Sequence, residues 1–223
     1  MPDEHLVITL DGPAGAGKST IAKSLAGRLG ISYLDTGAMY RALTLKALRL
    51  KMDLSDEQAL AALAGKTKIA FSEMPGGSLH ITLDGEDVSE PIRTLEVTNN
   101  TFYAAKAAGV RELMVSWQRA MAQSRSIVTD GRDQGTVVFP TARYKFYVDC
   151  DAEERVRRRY KDLAAAGKSV DLDRLRVEIQ ERDQKDFSRA VGPLKKAPDA
   201  ILVDSTGLTV EETVDKIMKL IHR

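Results

Sequence analysis

Gly12-Pro-Ala-Gly-Ala-Gly-Lys-Ser19, set between the apolar run Leu6-Val-Ile-Thr-Leu10 and a helical pattern opening at Lys18, decides the fold. The stretch fits G-x-x-x-x-G-K-[ST], a loop that cradles phosphate. Glycines let successive backbone N–H groups turn inward without Cβ clashes, and the positive end of the following helix adds to the attraction. Lys18 then reaches the β- and γ-phosphates and the Ser19 hydroxyl holds Mg²⁺. Glycine makes up about 7% of average sequence, so a chance match occurs in roughly one chain in a hundred of this length. Requiring a strand before it and a helix after it makes nucleotide binding the firm reading.

The same alternation continues outward. The runs LVITL (6–10), ISYLD (31–35), SIVTD (126–130), KFYVD (145–149) and ILVDS (201–205) read as strands covered on both faces, because polar alternation is mostly missing. Ile21, Leu25 and Leu29 recur at helical spacing, with Gly30 as the residue that closes the helix. Val110, Leu113, Met114, Trp117 and Met121 form a second stripe. Val210, Val214, Ile217 and Ile221 form a third, behind a capping box from Thr209 to Glu212. Strand and helix in repetition mean a five-stranded parallel sheet between two helical layers. Residues 67–98 depart from this: Leu79, Ile81 and Leu83 alternate with polar neighbours, Met74-Pro-Gly-Gly turns the chain, and Asp84-Gly85 marks a tight hairpin. They predict a small antiparallel insert.

Composition narrows the function classes. The 223 residues, 43% hydrophobic and 29% charged, suit one domain with inserts. A net charge of +1, from 33 Lys plus Arg against 32 Asp plus Glu, sets up no general field for nucleic acid or anionic membrane. One cysteine, Cys150, forms no intramolecular disulfide, and three scattered histidines make no zinc spacing. The N-terminal run lacks a signal-peptide pattern and no stretch is long and apolar enough to span a bilayer, so the cytoplasm is the expected compartment. The only asparagines, Asn99 and Asn100, begin no guanine-reading N-K-x-D.

Charged residues sit where the strands end, the edge at which open parallel sheets bind ligands. Asp35-Thr-Gly-Ala-Met-Tyr-Arg41 follows the second strand and Asp130-Gly-Arg-Asp-Gln-Gly135 the third. Arginine suits bidentate capture of phosphate, and a carboxylate accepts from ribose hydroxyls or a base amino group. In the helix from Leu172 the apolar stripe Leu172, Leu175, Ile179 continues into Arg182, Asp186 and Arg189. The preceding helix is expected to bury Val156, Tyr160 and Leu163, with Arg155, Arg158 and Arg159 together on its opposite side. A solvated charged face is the ordinary reading of those arginines. Placed before the loop tip Ala164 to Ser169, they also suit a lid.

Taken together, GPAGAGKST (12–20), LDTGAMYRA (34–42), DGEDVSEPIRT (84–94), DGRDQGTVVFP (130–140), ERDQKDFSRAVGPL (181–194) and DST (204–206) resemble the bacterial cytidylate kinases, in the nucleoside monophosphate kinase group. The likeness runs almost from end to end. It implies a three-layer P-loop kinase fold: a single domain over 1–223 with a monophosphate-binding insert at 67–98 and a helical lid at about 155–170. It implies ATP on Gly12, Pro13, Ala14, Gly15, Ala16, Gly17, Lys18, Ser19 and Thr20, with Mg²⁺ at Ser19. It further implies CMP or dCMP near Thr36, Tyr40, Arg41, Arg111, Asp130, Gly131, Arg132, Asp133, Arg182, Asp186 and Arg189. Among these, Arg41, Arg132, Arg182 and Arg189 surround phosphate, Asp186 holds the ribose, and Arg111 and Asp133 face the cytosine. Lys18, Arg132, Arg158 and Arg159 carry the catalytic charge. The family often has a base-contacting Ser in a stretch like SxVA where this chain has Thr101-Phe-Tyr-Ala104. Neither nucleic acid polymer nor membrane is an expected partner, and the expected state is a monomer. A related kinase acting on UMP or a metabolite hydroxyl, and an ATP-binding sensor without catalysis, are the alternative readings.

Overall fold

The structure, a computed structural model, describes residues 5–73, 79–165, 167 and 171–221. The turn expected at Met74-Pro-Gly-Gly and half of the loop tip from Ala164 to Ser169 lie outside the described residues. By contacts the chain divides into two compact units, Met1–Leu34 with Ala122–Arg223, and Asp35–Met121.

The first unit carries a five-stranded sheet in the order β2-β6-β1-β7-β8, built from β1 (Val7–Asp11), β2 (Ser32–Asp35), β6 (Ile127–Gly131), β7 (Tyr144–Asp149) and β8 (Ile201–Asp204). These are the five runs anticipated from sequence, each within a residue at either end. β1 pairs in parallel with β6 and β7, with Asp11 opposite both Gly131 and Tyr147. The carboxyl ends of the three central strands are therefore level, and the chain that follows each one emerges at the same edge. Helices α1 (Lys18–Leu29) and α8 (Val210–Ile221) cover the sheet. Ile8, Leu10, Ile21, Leu25, Val128, Phe146, Val148, Val203, Val214 and Ile217 form one continuous core with them. Burying a side chain of this size contributes about 1.5–3 kcal/mol. Gly30 stops α1 in the left-handed conformation at φ 65°. At the start of α8, Thr209 and Glu212 form the anticipated box: Glu212 N donates to Thr209 Oγ1 at 3.2 Å and Thr209 N to Glu212 Oε2 at 2.8 Å.

Also in this unit, α6 (Ala152–Ala165) and α7 (Leu172–Ser188) pack through Val156, Leu175 and Ile179, with Leu163 beside them. Tyr160 and Leu172, anticipated in that stripe, are instead 39% and 43% exposed. Two helices meeting along one seam bury only the residues on it, and both of these fall off it.

The second unit holds α2 (Thr36–Arg49), α3 (Glu57–Gly65), α4 (Leu95–Lys106) and α5 (Ala108–Ser124). It also holds the antiparallel sheet β3-β4-β5, formed by Ile69–Glu73, Leu79–Leu83 and Glu86–Asp87. Asp84 at φ 53° and Gly85 at φ 94° make the tight turn between the last two strands, where left-handed backbone matches the sheet's twist. Ile81 and Leu83 point into a core shared with Ala38, Ala42, Val88, Ile92 and Val97.

Candidate active site

The loop Gly12–Ser19 closes the carboxyl end of β1 and opens α1. Its glycines are needed by geometry as well as by conformation. At Gly12, φ 148°, a Cβ would lie 2.0 Å from the Val148 carbonyl oxygen; at Gly15, φ 81°, it would lie 3.2 Å from Arg155 Cβ. Gly17, at φ 82°, is the N-cap of α1 and supplies no side-chain cap, and no acidic residue occupies the first turn. The opening N–H groups of that helix are thus left for an anion.

Lys18 is buried and donates to the Pro13 carbonyl at 2.6 Å. Burial, reinforced by the Arg132 guanidinium, lowers its ammonium from 10.5 to about 7, against the pull of Asp130 and Asp186 in the other direction. An arriving polyphosphate would restore the charge. Ser19 Oγ donates to Asp130 Oδ2 at 2.7 Å, and Tyr33 Oη donates to Asp130 Oδ1, also at 2.7 Å. Ser19 and Asp130 together present hard oxygen ligands, a donor set that fits Mg²⁺. Asp11 lies beneath, accepting from the backbone N–H of Gln134 at 2.8 Å and of Gly135 at 2.7 Å. Its burial outweighs those bonds and raises the carboxyl to about 6.

Arg132 Nε donates to Asp186 Oδ2 at 2.6 Å, and Arg189 Nη2 stands 3.6 Å from Asp186 Oδ1. Asp186 and Arg189, expected on one face of α7, thus meet Arg132 in one cluster, in which the guanidinium charges hold Asp186 below the usual carboxylate range despite its burial. Gly131 and the buried Asp133 flank Arg132 in the chain. Arg182, one turn earlier in α7 than Asp186, is exposed, as is Thr20 in α1.

The arginines of α6 divide. Arg157 faces water, whereas Arg155 and Arg158 turn to the phosphate loop. Arg155 Nη1 donates to the Ala14 carbonyl at 3.3 Å and to Asp183 Oδ2. Arg158 donates to the carbonyls of Ala16 at 3.4 Å, Ser205 at 2.6 Å and Leu208 at 3.3 Å, and to Ser205 Oγ at 3.2 Å. Its Nε reaches Glu154 at 2.8 Å. With Lys18 on Pro13, three outward carbonyls of the loop are each capped by a cation. The sequence had pointed to a solvated face or a lid here, because helical periodicity registers one buried seam and α6 has a neighbour on two sides. Arg159 is half-buried and makes no hydrogen bond or ion pair to another described residue.

Among the anticipated residues of the second unit, Asp35 caps α2, accepting from Ala38 N at 2.8 Å, and Arg41 Nη2 pairs with Asp35 Oδ2 at 3.1 Å. Arg111 is buried; its Nη1 donates to Tyr40 Oη at 3.3 Å, and its guanidinium lies 5.9 Å from the centre of the Tyr40 ring. Thr36, at the start of α2, is also buried.

A family model described as cytidylate kinase matches residues 8–223. The chain belongs to the cytidylate kinase family. A cytidylate kinase of Desulforamulus reducens is 52% identical over 220 residues, 99% of this chain and 98% of that one. One from Geobacillus thermodenitrificans is 48% identical over the same shares. Membership of the cytidylate kinases makes this chain a P-loop phosphotransferase. A crystal structure of an uncharacterized protein from Eubacterium ventriosum shares the fold, with TM-score 0.51 at 14% identity over 98% of this chain and 99% of that chain. Tyr33, Asp11 and Asp183 went unremarked in the sequence. Nothing local marks them, since their partners lie from 28 to 124 residues away.

Proposed function

We propose that this chain transfers the γ-phosphoryl group of ATP to the phosphate of CMP or dCMP. Family membership over nearly the whole chain carries the assignment, and the Arg132–Asp186–Arg189 cluster beside a phosphate loop supports it. A sensor needs one anion pocket; buried, paired charges next to that pocket are costly unless a second ligand uses them.

Phosphoryl transfer goes through a loose transition state, so the protein's work is alignment and charge neutralisation. The backbone N–H groups of Gly12 and of Ala14 to Thr20, with the Lys18 ammonium, hold the triphosphate. Mg²⁺ bound with ATP would be held by Ser19 and Asp130, and supplies charge neutralisation to the phosphate oxygens. Arg41, Arg132, Arg182 and Arg189 grip the acceptor phosphate so that its oxygen is in line with the γ-phosphorus. Asp186 takes the ribose, while Arg111 and Asp133, with Thr36 and Tyr40 lining the cleft, read the base. Arg132, Arg158 and Arg159 meet the charge on the transferring group. Arg158 reaches it by releasing the Ala16 carbonyl, its longest bond. Residues 67–98 serve as the monophosphate-binding insert and residues around 155–170 as the lid, within one functional domain, and the enzyme works as a cytoplasmic monomer.

A coupled ADP-release assay over CMP, dCMP, UMP, AMP and small alcohols tests the assignment. Turnover is expected with CMP and dCMP well above the rest. Equal rates with UMP or an alcohol would move the acceptor, and no turnover with any of them would leave a sensor.

A further inference from the structure

Asp130, the last residue but one of β6, has each carboxylate oxygen engaged by a hydroxyl from a different element: Ser19 in α1 on Oδ2 and Tyr33 in β2 on Oδ1, both at 2.7 Å. The direction of donation matters. A hydroxyl has one proton, and once Ser19 has given it to Asp130 only lone pairs remain for a cation. A carboxylate's terminal torsion is soft, so a single donor would leave the plane of Asp130 free to swing. Two donors on opposite oxygens fix it. Tyr33 packs its ring against the sheet core, a task phenylalanine would perform equally well; the hydroxyl is spent on Asp130.

We propose that Tyr33 is a positioning residue for the divalent cation that accompanies ATP. It holds the Asp130 carboxylate in the plane that keeps Ser19 donating inward and its lone pairs outward. The proposal rests on the reading of Ser19 and Asp130 as the protein oxygens of that cation. Outer partners of this kind typically set metal affinity by about 10–100-fold.

Tyr33→Phe removes the proton and keeps the ring. The test is calorimetric binding of ATP to the full chain without acceptor, once with saturating Mg²⁺ and once with EDTA, for the wild type, Tyr33→Phe and Asp130→Asn. The readout is the gain in affinity on adding Mg²⁺. In Tyr33→Phe that gain is expected to shrink about tenfold, with ATP affinity in EDTA unchanged. A normal gain in Tyr33→Phe together with a reduced one in Asp130→Asn would overturn the role of Tyr33 and leave the reading of Asp130 standing. A normal gain in both would remove Asp130 from the cation and the proposal with it. Equal weakening in EDTA and in Mg²⁺ would make Tyr33 a packing residue of the loop, which also overturns it.

Discussion

Around β1, the phosphate loop rests on a core that runs unbroken from Ile8 through Phe146 to Ile217, whereas α6 and α7 share only Val156, Leu175 and Ile179 with Leu163 beside them. Three of the loop's carbonyls, those of Pro13, Ala14 and Ala16, are each held by a cation, but much of the α6–α7 surface is laced by exposed pairs such as Arg157–Glu154, Arg176–Glu153 and Arg174–Glu178. Exposed pairs contribute about 0–1 kcal/mol each. One region is thus rigid by burial, while the other is a thin seam with low local stability, the kind of element from which lids are drawn. Arg155 and Arg158 join the two, so movement of α6 is felt at the Ala14 and Ala16 carbonyls.

The largest effect should come from the rigid region. Lys18→Met is expected to lower turnover by about 10³-fold with the far-UV spectrum unchanged, as for loss of one preorganised donor to a charged transition state. Wild-type rates would break the assignment. Next, Phe146→Ala should cost about 3–5 kcal/mol in denaturant unfolding, and Leu175→Ala about 2 kcal/mol. In hydrogen exchange, Leu175→Ala should speed α6 and α7 amides while leaving β1, β6 and β7 protected. Uniform acceleration across both regions would erase the contrast.

A smaller effect is one of proton linkage. The unfolded chain holds the Lys18 proton up to its ordinary 10.5, the folded free protein only to about 7. Between those values the unfolded state binds more protons, so the destabilising contribution of Lys18 is complete below about 7 and fades as pH rises. Lys18→Met should therefore be more stable than the wild type at pH 7, and the difference should close toward pH 10. Bound triphosphate returns the proton, so ATP binding at pH 8 should take up close to one. Calorimetry in buffers of different ionisation enthalpy measures this, and no uptake would show that Lys18 is already charged. Smallest is Asp133→Ala, expected to narrow the preference for CMP over UMP more than it lowers the maximal rate. An unchanged preference would take Asp133 out of base reading.

Where structure follows from local pattern, the sequence is an adequate guide. The five strands, the Gly30 stop, the Thr209–Glu212 box and the Asp84-Gly85 turn each depend on residues within a few positions of one another. Ion-pair partners in the site were legible only where helical spacing linked them, as for Asp186 and Arg189. The bonds that reach across the fold were not: Tyr33 to Asp130 spans 97 residues and Arg158 to Ser205 spans 47. Tyr160 and Leu172 were misplaced for a related reason. Periodicity gives the angle of a side chain about its helix axis and is silent on how wide a face the neighbour covers.

The proposed transfer requires donor and acceptor to lie end to end between Lys18 and a ring of arginines. A crystal structure with an unreactive ATP analogue and CMP bound tests it most directly. It should show Lys18 on the β- and γ-phosphates and Arg41, Arg132, Arg182 and Arg189 all in hydrogen-bond reach of the CMP phosphate. Arginines scattered away from that phosphate, with CMP held elsewhere, would contradict it.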